Sequence, residues 1–165
     1  MRDIVPKFFS KKEREFHYCT SEILIEQLKN NYKPEGILLI KKRLTTHSGR
    51  NSVHIIYKPI LGNYLLQFSN SISTIISDFS TDENRWLNRS AILFQLGYKS
   101  RTHFQLLKHI CLQLKDSNEY FILKSIGWAL REYAKTNPEA VKEFVFVNNL
   151  KPLSRKEALK KVSVA

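Results

Sequence analysis

The chain has 165 residues, 42% hydrophobic and 25% charged, enough for one domain with a sizeable core. Lysine and arginine number 27 against 15 acids, a formal charge of +12. That charge points to a polyanion, nucleic acid being the commonest, and leaves a merely solubilising surface as the other reading. No apolar run approaches the roughly 18 residues of a membrane span, and Met1–Phe9 is too short and too interrupted by charge and Pro6 for a secretory signal. Cys19 and Cys111 have neither the number of a disulfide framework nor the spacing of metal ligands. The expectation is an intracellular monomer with core thiols, no metal and no cofactor.

The pattern is helical almost throughout, because the 5 glycines and 5 prolines punctuate rather than interrupt it. Lys11–Asn30 reads as a first helix, with Phe16, Cys19, Ile23 and Leu24 near one face. Pro34 suits the first turn of a second helix ending near Leu44, and Thr45–Gly49 is a turn. Ser52–Phe68 is helical with a break at Pro59. Ser71–Phe79 is a short helix with Ile72, Ile75, Ile76 and Phe79 on one stripe. Asp82 is expected to cap a helix running to Gly97, its C-cap. Thr102–Leu114 follows, then Asn118–Ala134 capped by Ser117. Asn137-Pro138 reads as an N-cap with proline at N1, opening a helix to about Val147. Ser154-Arg155-Lys156-Glu157 has the form of a capping box.

These helices fall in pairs, and a repeat appears at a period of 35. Trp86–Ala91 aligns with Phe121–Ile126, and stepping back two periods from Trp86 reaches Phe16. Stepping back from Arg89 reaches His54 and then Cys19. A large aromatic thus recurs at 16, 86 and 121, and a polar or basic residue at 54, 89 and 124; Asn51 departs from the aromatic series. A helix pair cannot bury its apolar face alone, so neighbouring pairs must stack. The fold class expected is all-α, an α-solenoid of HEAT-like antiparallel helix pairs, with residues 1–165 forming one domain of about four pairs and a C-terminal cap helix. His54, Arg89 and Lys124 would line up along one face. They serve either as a nucleic-acid track or as salt-bridging caps of core helices.

Lys124, Trp128 and Arg131 are spaced to share one helix face. A tryptophan between two cations can stack on a base or hold a cationic ring. It can equally be a core tryptophan flanked by the stems of snorkelling cations. The five histidines, at 17, 47, 54, 103 and 109, lack metal-ligand spacing, and there is no glycine-rich phosphate loop.

Three stretches carry a family likeness: Trp86–Leu96, Lys124–Lys135 followed by Thr136-Asn137-Pro138, and Pro152–Ala158. Through them, and from about Lys12 to the C-terminus, the chain resembles the DNA alkylation repair (AlkD-like) family of HEAT-like repeat DNA glycosylases. The resemblance implies a basic surface that holds duplex DNA and hydrolysis of the N-glycosidic bond of cationic alkylpurines without base flipping. It implies a carboxylate, two tryptophans and an arginine at the site, acting by electrostatic stabilisation of the oxocarbenium-like sugar. Arg89 matches the arginine and Trp128 the second tryptophan. Gly49–His54 holds the place of the motif supplying the other two, so Arg50 stands at the first tryptophan and His54 at the aspartate. Histidine supplies no fixed negative charge. The family also has helices before the matched region, so the chain reads as N-terminally shortened. The expected function is DNA binding with weak or no glycosylase activity. An active alkylpurine glycosylase, with Asp82 or Glu83 as the nearby acids, and a protein-binding solenoid are the alternatives. The residues expected to face DNA are Arg89, Trp128, Lys124, Arg131, Arg50 and His54. Arg89, Lys124 and Arg131 are further expected to be exposed cations whose joint removal leaves the fold intact.

Overall fold

The structure, a computed structural model, describes residues 32–46, 57–160 and 162. It divides into two compact units, residues 1–72 and 73–165. The described residues contain helices and turns and no strand. The helices expected over Lys11–Asn30 and the first part of Ser52–Phe68 lie outside the described residues, and so does part of the count of about four pairs.

In the first unit, α1 spans Gly36–Thr45 and α2 spans Asn63–Gln67. Pro34 precedes α1 and accepts a hydrogen bond on its carbonyl from the Tyr64 hydroxyl at 2.8 Å. The break expected at Pro59 is a π-helical turn, Tyr57–Gly62. Proline has no N–H and its ring crowds the carbonyl four residues back, which a wider turn accommodates. The Pro59 carbonyl receives the Asn63 amide at 2.8 Å and the Tyr32 hydroxyl at 3.1 Å. Ile40, Leu44, Ile60, Leu61 and Leu65 form the local core. Arg43 is buried with them, and burial pulls its guanidinium down to about 10.

The second unit contains α3 (Ile72–Thr81), α4 (Arg85–Leu93), α5 (Phe104–Leu114), α6 (Tyr120–Ala134), α7 (Pro138–Val147) and α8 (Pro152–Leu159). Helices α4, α6 and α8 lie side by side in one layer, α6 in the middle. Helices α3, α5 and α7 form the other: Ser80 bonds Gln113 at 3.1 Å, and the Phe104 and Phe144 rings meet edge to face at 6.3 Å. Helix α4 packs on α5, and α6 on α7, each the next helix in sequence. This is the all-α, HEAT-like pairing that the period of 35 indicates.

Local signals are read correctly where they act locally. Asn137 caps α7, accepting from the Ala140 amide at 3.0 Å, with Pro138 behind it. Four caps differ from expectation. Gly97 has a φ of 86° in the turn after α4, but that helix ends at Leu93 with Phe94, not Gly97, as its C-cap. Asn84, not Asp82, caps α4, accepting from the Trp86 amide at 2.9 Å, while Asp82 accepts from the Asn84 amide. Ser117 binds the Glu119 amide, one residue before α6 begins. Ser154 lies inside α8, which starts at Pro152, and its hydroxyl donates to the Leu123 carbonyl of α6 at 2.8 Å.

Candidate functional site

The site is built on the adjoining faces of α4 and α6. Helix α4 is mostly enclosed by its neighbours: Trp86, Leu87, Ser90, Ala91, Ile92 and Leu93 are buried. Arg89 is enclosed with them, 6% exposed. Its Nε donates to the Ser125 hydroxyl of α6 at 3.0 Å. That hydroxyl in turn donates to the Phe121 carbonyl one turn back, at 2.6 Å. The Arg89 guanidinium lies 5.9 Å from the Trp86 ring centre and 5.8 Å from that of Phe121, within reach of both π faces. The two rings pack on each other at 5.6 Å.

The period of 35 thus has a physical meaning here. Trp86 and Phe121 are equivalent and touch. Ser90 and Ser125 are equivalent, and each returns its hydroxyl to the carbonyl four residues back, Ser90 at 2.7 Å to Trp86. Phe16, the third aromatic of the series, lies outside the described residues.

Helix α6 carries the remaining residues. Lys124 is exposed, and its ammonium lies 3.1 Å from the Tyr120 hydroxyl. Trp128 is half-buried one turn further along. Arg131 is turned toward α8 and pairs with Glu157 at 2.8 Å, both side chains being mostly covered. One helix face therefore runs from open solvent at Lys124 to a covered ion pair at Arg131. Arg50 and His54 lie outside the described residues.

One expectation requires correction. Arg89 is not an exposed cation in line with Lys124, but a buried one. Removing Arg89, Lys124 and Arg131 together would strip a buried hydrogen-bonded cation and a mostly covered ion pair, so that change would alter packing as well as surface charge. Ser125, which holds Arg89, was not singled out in the sequence. Its signal is its place in the period, aligned with Ser90 on helices that must touch.

Among the described residues no group of three or more His, Cys, Asp or Glu could hold a metal, and no helix is long and apolar enough to cross a membrane. His103 caps α5, its Nδ1 accepting from the Leu106 amide at 3.2 Å. Cys111 is fully buried, and burial pushes its thiol far up from its ordinary range.

Stacked helix pairs with an arginine enclosed between consecutive repeats define an all-α helical-repeat protein. The sequence model of the DNA alkylation repair enzyme family matches residues 1–162, and the chain belongs to that family. A solved structure described as a predicted DNA alkylation repair enzyme from Enterococcus faecalis is similar to it at a TM-score of 0.90 and 30% identity. The similarity covers 98% of this chain and 75% of that one. No functionally curated protein matches the chain.

Proposed function

We propose that the chain is a duplex-DNA-binding member of its family, acting as an intracellular monomer with weak or no glycosylase activity. One contrast carries the reading. Arg89, the residue that resembles the family's arginine, is present and built into the α4–α6 contact, whereas position 54, one period earlier, is histidine rather than a carboxylate. Cleavage of the N-glycosidic bond develops positive charge on the sugar, and a fixed negative charge nearby is what accelerates it. At 4 Å and an effective dielectric near 20, one unit charge contributes about 4 kcal/mol, roughly a thousandfold in rate. Neutral histidine forfeits that contribution, and protonated histidine reverses its sign. Arg50 in place of tryptophan adds a cation and removes a ring. Both changes favour phosphate binding over base release.

The acids named as substitutes support this reading. Asp82 accepts the Asn84 amide in the turn before α4, and Glu83 is solvent-exposed beside it. In this proposal Lys124 and Trp128 meet the duplex, and Arg89 braces the surface from within.

The test is a duplex titration over a range of salt. Affinity should fall steeply with salt and differ little between plain and alkylated duplexes of any sequence. Lys124→Gln should flatten the slope by about one unit without changing the melting temperature. Salt-insensitive binding, or none, would remove DNA as the partner.

A further inference from the structure

Two exposed side chains on helix α6 are bonded to each other where burial does not require it. Tyr120 and Lys124 lie one turn apart on the same face, both open to solvent. The Lys124 ammonium is 3.1 Å from the Tyr120 hydroxyl and 5.5 Å from the centre of its ring. The nitrogen therefore stands at the hydroxyl end of the ring rather than over its face. An ammonium carries donors and no acceptor, so the lysine donates and the hydroxyl oxygen accepts. Water offers both groups similar bonds, so the net stabilisation is small. What the bond does is fix a direction for a long stem that otherwise samples many rotamers.

The tyrosine can serve as a post because its own ring is held. It meets Phe121 edge to face at 5.4 Å, and Phe121 packs on the buried Trp86 at 5.6 Å. A line of three rings thus runs from the interior of the α4–α6 contact out to Tyr120, which is 51% exposed. The acid beside it in sequence, Glu119, is engaged by Arg85 at 3.2 Å. Among the described residues the Lys124 ammonium bonds Tyr120 and no carboxylate. It does so on the face that carries the half-buried Trp128 one turn further along.

We propose that Tyr120 is a positioning residue for Lys124, its hydroxyl holding the ammonium in place for a phosphodiester of bound DNA. The proposal rests on the DNA-binding reading above, in which Lys124 meets the duplex, and adds the group that aims it. A rotamer-rich side chain loses freedom when it binds; here part of that loss is already met in the free protein, so affinity rises. Of the three donors on the ammonium, one is spent on Tyr120 and two remain for phosphate oxygens. The hydroxyl adds no charge, so it changes affinity without changing the number of counterions released.

The test uses the full chain and a plain duplex, with affinity measured at several salt concentrations. Tyr120→Phe keeps the ring on Phe121 and removes the hydroxyl alone. It should weaken binding by roughly two- to tenfold, with the parent's salt slope and the parent's melting temperature. Lys124→Met keeps the stem and cannot bond the hydroxyl; it should flatten the slope by about one unit. In that background Tyr120→Phe should change nothing further, because the tyrosine acts only through the lysine. Parent-like affinity in Tyr120→Phe, whatever Lys124→Met does, would sink the positioning role and leave the DNA-binding reading standing. An equal loss from Tyr120→Phe with and without Lys124 would also overturn it, since the hydroxyl would then act independently of the lysine. A lowered melting temperature in Tyr120→Phe would replace it with a structural role. No duplex binding by the parent would overturn the positioning role and the DNA-binding reading together.

Discussion

On its α4 side, helix α6 sets its own Phe121 against the Trp86 ring and an enclosed cation; on its α8 side, it meets backbone. The first contact is a hydroxyl holding a guanidinium beside Trp86 and Phe121. The second is a close approach at Gly127, where any side chain would collide with the Glu157 Cβ and lie 2.7 Å from the Ser154 carbonyl oxygen. The Ser154 hydroxyl reinforces it by donating to Leu123. The α8 contact combines this close packing with the partly solvated Arg131–Glu157 pair. The α4 contact encloses its cation almost completely, and enclosing a charge costs desolvation that apolar residues avoid. The difference separates an interface shaped for stability from one that retains an arginine at some expense.

The sharpest way to break this comparison is at Gly127. Gly127→Ala drives a methyl into backbone and Cβ atoms that cannot rotate away. It should destabilise by roughly 1–3 kcal/mol, or about 2–10 °C in melting temperature for a chain of this size. An unchanged melting curve would mean that α8 is not seated on α6 as described.

The next effect lies on the other side. Ser125→Ala leaves the Arg89 Nε without its hydroxyl acceptor and should cost about 1.5–3 kcal/mol. Arg89→Met, which keeps the stem and drops the charge, should be nearly neutral or stabilising. Combined, the two should cost less than their sum, since the contact is lost only once. If Arg89→Met proves the more damaging single change, the arginine is there for stability and the comparison fails.

Smaller still is Glu157→Gln, which removes the charge facing Arg131 and Lys160. It should cost below about 1 kcal/mol at moderate salt, and less as salt rises. Cys111, in the layer behind both contacts, gives the smallest effect at neutral pH. Burial raises its thiol above the ordinary value of 9.0, so the folded chain keeps a proton that the unfolded chain releases above that value. Its contribution is therefore flat below pH 9 and falls as pH rises further. Alkylation of Cys111 at pH 8, read by peptide mass, should track unfolding; rapid modification of the native chain would contradict its burial.

Much of this fold is legible in the sequence because its organising rule is a period. Spacing of 35 pairs Trp86 with Phe121 and Ser90 with Ser125, and stacked repeats bring such equivalents together. Asn137-Pro138 is legible because a cap of that kind is settled within four residues. Ser154 is not, because its hydroxyl has a tertiary partner in Leu123 that no local rule contains. Depth is the other thing a period leaves open: it makes Arg89 and Lys124 equivalent by count, yet one is enclosed and the other solvated. Only the structure shows that α4 is buried from Trp86 to Leu93, apart from the half-buried Asn88.

The most direct measurement is base release from duplex DNA carrying 7-methylguanine, with the full chain at concentrations that saturate binding. The account predicts release at the background rate under conditions where the duplex is bound, and little rescue by His54→Asp alone, because Arg50 still stands in place of the tryptophan. Multiple-turnover release of 7-methylguanine by the unmodified chain would contradict it.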